Sequence, residues 1–308
     1  MTGLLLEGEA SRLALCRERF GLAGAAPPVP LAGDVGARRY FRQPTPGGGS
    51  VLVVLYPQPG SAAQANWSAI RDALEGAGVR VPRHEDDALD IGAALIEDLG
   101  DRDLAMDLAD APHEDRPRLL DEAEDILLGV RSIARTSATR NPPFDAAFFA
   151  SELAHTRHWA LEKDGQDALP PARAEEWDRL AGSLAAAAAD PAATGDPVPT
   201  HRDYHANNLM RTPEKRLAPI DFQDLRLGPP DYDPVSLRFE RAGEAVEADA
   251  GAVSEAVLLQ RAWKVLGTFE KMLLKGRPFY RPHRETARRV IRRRTSAAGP
   301  FAGLLAFL

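Results

Sequence analysis

Residues 199–227 read PTHRDYHANNLMRTPEKRLAPIDFQDLRL, running from Pro199 to Leu227. The stretch sets His201, Asp203 and Asn208 in an H-x-D-x-x-x-x-N spacing. A turn at Thr212 to Lys215 and an apolar strand at Leu217 to Ile220 then lead to Asp221 in IDFQD. The order predicts a loop, a hairpin and an acid. Moving a phosphoryl group from ATP to a hydroxyl is mostly positioning and charge neutralisation, so it needs a carboxylate beside the nucleophile and hard oxygens for Mg2+. Asp203 can accept the hydroxyl proton. Asn208 can turn back from the loop toward the metal, and Asp221 can bind it from the other side. His201 is expected to brace the loop by hydrogen bonds rather than to transfer protons.

Two other readings use the same residues. Asp and Asn commonly cap and turn loops, and His201 beside Arg202 can be an incidental surface pair. His201, His205 and Asp203 also form part of a zinc set, but they lack a fourth ligand other than Asp221. The whole set in order, with a hairpin between, favours the phosphoryl-transfer reading.

Working outward, the half of the chain before this stretch is short and mixed. Glu9 to Phe20 has Leu13, Cys16 and Phe20 on one helical face, with Gly21 as a stop. Strand-like runs follow at Val29 to Ala32, Arg39 to Gln43 and Val51 to Tyr56. GDVGARRYF, Gly33 to Phe41, lies between the first two, and its glycines permit a tight turn whose backbone N–H groups can approach phosphates. PTPGGGS, Pro44 to Ser50, reads as a hairpin tip. A helix over Ser61 to Gly78 and strands at Val79 to Pro82 and Ala93 to Ile96 complete a small α+β lobe, residues 1–101. Beyond Asp101 the pattern is helical: Glu114 to Thr136, Asp145 to Leu161, Ala172 to Ala189, Ser254 to Leu274 and Pro282 to Arg294. Residues 102–308 are therefore expected to form a larger helical lobe holding the catalytic loop and acceptor site, with a cleft where the small lobe ends. No internal repeat is present.

Composition sets the class. The chain has 308 residues, 44% hydrophobic and 27% charged, with a net charge of −7. It is long enough for two lobes and offers no case for disorder. The one basic cluster, Arg284 to Arg294, reads as a solvated or ion-paired helix face, so no nucleic-acid partner is expected. Cys16 is the single cysteine, which excludes an intramolecular disulfide and suits a reducing compartment. No run approaches the ~20 apolar residues of a membrane span, and MTGLLLEGEASR is too short in apolar residues for a signal peptide. A cytoplasmic protein with no membrane association and no obligate protein partner is expected.

HRDYHANNLM, IDFQD and LIEDLGD (Leu95 to Asp101) together resemble the aminoglycoside phosphotransferase and choline kinase superfamily, over essentially the whole chain. With GDVGARRYFR and DFQDLRLGPPDYDPVSL (Asp221 to Leu237), they look like the bacterial amino-sugar kinases that act on the anomeric hydroxyl of N-acetylmuramate and N-acetylglucosamine. The resemblance implies a bilobal, protein-kinase-like α+β fold with a small antiparallel-sheet lobe and a larger helical one. It makes Asp203 the catalytic base, Asn208 and Asp221 the Mg2+ ligands, and Gly33 to Tyr40, with Gly33, Asp34, Gly36 and Tyr40, the ATP loop. Glu97 to Leu99 becomes the backbone that meets adenine, and Asp224 a substrate contact.

One departure stands out. Kinases of this fold place a lysine on the third strand against the α and β phosphates, yet the first lysine here is Lys163. Arg38, Arg39 and Arg42 are the available cations; arginine's fork suits phosphate, and Arg39 and Arg42 are taken as the candidates. On FDAAFFASELAHTRHW (Phe144 to Trp159), Phe148, Glu152, His155 and Trp159 recur at helical spacing. Glu152 and His155 would be costly there if buried unpaired, so they are candidate sugar contacts. An anomeric hydroxyl is more acidic than an ordinary alcohol, so a carboxylate base is adequate for it. Two other functions remain open: phosphorylation of an aminoglycoside-type antibiotic or other small alcohol, and non-catalytic nucleotide binding by a regulator that lacks the lysine.

Overall fold

The computed structural model describes residues 8–31, 38–59, 62–138, 140–240 and 253–308. Gly33, Asp34 and Gly36 lie outside the described residues. The chain forms two compact units: Met1–Asp101 with Met210–Gln223, and Arg102–Leu209 with Asp224–Leu308. Residues 210–223, expected in the helical lobe, thus group with the first unit. One contact that holds them there is Phe222, whose ring stacks on Trp67 at 5.5 Å.

The first unit opens with helix α1, Glu9–Arg19, followed by strands β1, Val29–Pro30, β2, Arg39–Pro44, and β3, Ser50–Leu55. Helix α2, Ala62–Gly76, precedes β4, His84–Ala88, and β5, Ala93–Glu97. The five strands form one antiparallel sheet in the order β1-β2-β3-β5-β4. β5 is buried throughout, which its uninterrupted Ala-Ala-Leu-Ile run foretells. Leu13 and Cys16 of α1 pack with Phe41, Val53 and Leu95, and burial pushes the Cys16 thiol up to about 11. The fourth strand is not Val79 to Pro82 but the acidic His84–Ala88. Its charges suit an edge strand, where they discourage pairing with another chain, and a register shift between His84 and Asp86 breaks the edge further. Val79 and Val81 are buried even so.

In the second unit come α3, Leu104–Asp110, α4, Arg116–Ser132, α5, Arg135–Ala138, α6, Ala146–Thr156, α7, Pro171–Ala189, and α8, Pro191–Thr194. Residues Arg157–Leu161 continue α6 as a turn of π-helix, a widening that shifts the facing of later side chains. Strand β6, Val198–Thr200, leads into the H-x-D loop. The hairpin β7, Leu209–Arg211, and β8, Leu217–Pro219, comes next in the chain but groups with the first unit from Met210 on; β9, Arg226–Gly228, again in the second unit, pairs antiparallel with β6. Helices α9, Tyr232–Phe239, α10, Glu255–Leu274, and α11, Arg281–Arg294, complete the unit. Its core centres on Trp263 and Trp177, set edge to face at 5.1 Å. Gly267 lets α10 approach α6 closely, since a Cβ there would meet the Thr156 Cα at 2.6 Å. On α11, Ala287, Val290 and Ile291 face inward, while Arg284 and Arg288 face Glu270 at 3.7 and 3.9 Å. No described helix is long and apolar enough to cross a membrane.

Candidate active site

The loop after β6 is held from below. Asp233, on α9 and 4% exposed, accepts the backbone N–H groups of His201 at 2.7 Å and Arg202 at 3.0 Å. Arg202 has φ of 83°, a left-handed backbone that a non-glycine residue keeps only when its surroundings enforce it, and these two bonds do so. Burial raises the Asp233 carboxyl above its usual range, against the pull of His201 and the two N–H donors. His201 itself is fully buried, edge-on to Tyr204 at 5.4 Å, and neither ring nitrogen has a hydrogen-bond partner among the described residues. It packs within the loop rather than making the side-chain hydrogen bonds expected of it. Tyr204 donates to the Ala123 carbonyl at 2.6 Å, and Asn207 to Asp103 at 2.9 Å, which ties the loop to α4 and to the N-cap of α3.

Asp203 emerges from this frame three-quarters buried. Its Oδ1 lies 3.3 Å from the Lys264 ammonium and 3.4 Å from the Arg261 guanidinium, both on α10. Burial alone would raise the carboxyl; Lys264, Arg261 and Arg202 outweigh it and hold it well below the usual carboxylate range. Arg261 is 1% exposed and also bonds Glu240, the Arg202 carbonyl at 2.9 Å and the Tyr232 hydroxyl at 3.1 Å. The Asn208 amide donates to the Asp203 carbonyl at 2.9 Å, so its oxygen is the atom left to face a cation.

In the first unit Asp221 has φ of 65°, again left-handed. Arg38 ion-pairs with its Oδ1 and donates to Gln223 at 2.6 Å, while Gln223 donates to Asp221 at 3.1 Å. The other two arginines are engaged elsewhere. Arg42 forks onto Asp98 at 2.5 and 2.9 Å and reaches Asp101 at 2.8 Å; Arg39 faces Glu9 at 3.7 Å. Asp98 also accepts from Ser50 at 2.5 Å and from the Gly100 N–H, so Arg42 fastens β2 and β3 to the segment after β5. The Tyr40 phenol is pushed up to about 12 by burial. Glu97 is buried with its carboxylate between Arg80 at 2.6 Å and Arg83 at 3.0 Å, and Leu99 is buried beside it.

Among the sugar-contact candidates, Glu152 is buried but not alone: Gln260 donates to it at 2.9 Å and Arg202 lies 3.6 Å away. Arg202 also meets Asp224 at 3.2 Å, with Arg226 at 3.8 Å on the same carboxylate. His155 is half-buried, its pKa lowered by burial and by Lys271, His158 and Lys264 nearby.

Among the described residues no group of three or more His, Cys, Asp and Glu side chains converges as a metal site. Carboxylate and amide oxygens, such as Asp221 and Asn208 each offer, are ligand types that Mg2+ accepts, with phosphate and water filling the rest of its shell. Arg261, Lys264 and Asp233 escaped the sequence reading. Nothing in the sequence of α10 sets the first two apart from its other charged residues, Glu255, Glu270 and Lys271.

The sequence pattern of the phosphotransferase enzyme family (APH) matches residues 28–289. An N-acetylmuramate/N-acetylglucosamine kinase of Pseudomonas aeruginosa is 31% identical over 213 residues, 68% of this chain and 60% of that protein. The enzyme of the same name from Neisseria meningitidis is 28% identical over 207 residues, 67% and 59%. The chain thus spans about three-fifths of the length of these curated relatives. In structure it resembles a thermostable mutant of the aminoglycoside phosphotransferase APH(4)-Ia, with a TM-score of 0.62 over 93% of this chain and 99% of that one at 14% identity. A choline/ethanolamine kinase family protein from Mesorhizobium loti gives 0.58 over 98% of both chains, also at 14% identity. These likenesses give the protein-kinase-like α+β fold, and the match across residues 28–289 places the chain in the phosphotransferase enzyme family.

Proposed function

We propose that this protein is an ATP-dependent kinase that phosphorylates a hydroxyl of a small amino sugar, the anomeric hydroxyl of N-acetylmuramate or N-acetylglucosamine, as a cytoplasmic enzyme of cell-wall recycling. The carrying observation is the Asp203 carboxylate, kept ionised by Lys264 and Arg261 on a loop that Asp233 holds rigid. Such a group orients an acceptor hydroxyl and takes its proton as the acceptor oxygen bonds the γ-phosphorus of ATP and the bond from that phosphorus to the departing ADP breaks. The names of the curated relatives support the choice of sugar. Asn208 and Asp221 are the proposed metal ligands, Glu97 to Leu99 the proposed adenine contact, and Gly33, Asp34, Gly36 and Tyr40 part of the proposed nucleotide loop. Bound Mg2+ supplies charge neutralisation across the phosphates.

The missing lysine finds its replacement in Arg38 rather than in Arg39 or Arg42. Arg42 is committed to Asp98 and Asp101, whereas Arg38 sits on the proposed metal ligand itself. With Asp221 holding a metal, the Arg38 guanidinium would be free to meet phosphate, which its fork fits. Arg38→Ala is therefore expected to weaken ADP binding about tenfold or more, the worth of a charge-assisted hydrogen bond. The same change should strengthen Mn2+ binding in the absence of nucleotide, because Asp221 loses its competitor. Calorimetric titrations with ADP and with Mn2+ separate the two effects; a change of the same sign in both sinks the assignment.

An ADP-release assay with N-acetylmuramate, N-acetylglucosamine and kanamycin tests the function as a whole. Turnover with either amino sugar and none with kanamycin is the expected result. Nucleotide binding without turnover on any acceptor would make the protein a nucleotide-binding regulator.

A further inference from the structure

Charges around Asp203 in the second unit are mostly matched. Asp203 faces Lys264 and Arg261; Glu152 and Asp224 face Arg202, Arg226 and Gln260. Two cations are left over. Lys271 and Lys275 have no carboxylate within ion-pair distance among the described residues, and both ammonium groups lie over the Trp159 ring, at 5.3 and 5.7 Å from its centre. Neighbouring acids are taken: Glu270 faces Arg284 and Arg288, and Asp164 faces His158.

These residues line up. Lys264, Thr268 and Lys271 recur at the four- and three-residue steps that share one face of a helix, here α10, and Lys275, four residues further on, is the residue just past its end. That face meets the end of α6 and the π-turn, where His155 and Trp159 stand with ring centres 6.0 Å apart. Trp159 stands at the centre of this widened turn, Arg157–Leu161. At 1.5 Å of rise per residue, Lys264 and Lys271 are separated by about 10 Å along the axis, room for one substituted hexose ring. The strip begins at Asp203, where Lys264 touches it, and runs outward to an aromatic face flanked by spare cations.

We propose that this strip is the acceptor subsite and that it selects a sugar bearing a carboxylate. This rests on the kinase reading above. The hydroxyl to be phosphorylated sits at Asp203, the apolar face of the ring lies against His155 and Trp159, and the carboxylate is met by Lys271 with Lys275 behind it. A polycationic acceptor such as an aminoglycoside is repelled by the same residues.

The test is binding, measured without turnover. N-acetylmuramate carries the carboxylate and N-acetylglucosamine does not, so calorimetric titration of the intact protein with each reads the preference directly. The expected result is about tenfold tighter binding of the acid, the worth of one charge-assisted hydrogen bond. In Lys271→Gln the gap should close, because the acid weakens while the neutral sugar holds. A lysine that only packed on Trp159 would move both sugars together. Equal affinity for the two sugars in the wild type, a gap that survives in both Lys271→Gln and Lys275→Gln, or binding of neither sugar overturns the proposal. Failure of ADP release with a preserved preference for the acid would instead remove the kinase reading and leave an anionic-sugar site standing.

Discussion

Replacing Asp203 with asparagine is expected to cut phosphoryl transfer by about 10²–10⁴-fold, with ADP binding unchanged. Asparagine keeps the size and the polar contacts but cannot take a proton. Near-normal turnover would remove Asp203 from its role. In that proposed role, the surroundings of Asp203 also set the expected acid limit of turnover. Burial would raise this carboxyl, but the Lys264 ammonium and the Arg261 and Arg202 guanidinium groups hold it well below the ordinary range. A base works only when deprotonated, so a lowered pKa keeps it competent to lower pH. The limb of the kcat/KM profile that belongs to Asp203 is therefore expected below roughly pH 4, where ordinary aspartates titrate. Linkage runs the same way: the stabilisation from the ionised carboxylate is present above its unfolded pKa of about 3.9 and is lost as the pH falls through the depressed folded value.

The largest stability effect should come from Arg261. Arg261→Ala strips a guanidinium that is 1% exposed from Glu240, Asp203, the Arg202 carbonyl and the Tyr232 hydroxyl. Breaking a buried charge pair on one side costs about 3–5 kcal/mol, because the carboxylate left behind has already lost its water. Urea denaturation followed by intrinsic fluorescence reads this well, since Trp159, Trp177 and Trp263 all belong to the second unit and only Trp67 to the first. Arg261→Lys should recover part of the loss while missing the fork to Glu240. A loss below about 1 kcal/mol for Arg261→Ala would mean the guanidinium is not the brace described.

What could be read in advance follows from locality. Asp203, Asn208 and Asp221 fall within one short stretch, and their spacing alone set out a loop, a hairpin and an acid. The residues that tune Asp203 come from α10, far along the chain, on a helix whose pattern announces only a core element. Asp233 was visible inside LGPPDYDPVSL, yet nothing in a sequence tells an exposed aspartate from one that accepts two buried N–H groups. The absent lysine was plain, and three arginines stood as substitutes. Choosing among them required knowing that Arg42 reaches Asp98 and Arg38 reaches Asp221, partners 56 and 183 residues away that no local pattern announces. The strand at His84–Ala88 hid for another reason: edge strands carry charge, and charge reads as loop.

The hold that Asp233 and α10 keep on the loop has a consequence for how the protein is made. Asp203 leaves the ribosome about sixty residues ahead of Lys264, roughly 3–12 s earlier at ~5–20 residues per second. Until α9 and α10 have emerged, the loop lacks the carboxylate that fixes its backbone and the cations that fix its charge. The fixed geometry of the loop therefore arrives late in synthesis, well after the whole motif has been made.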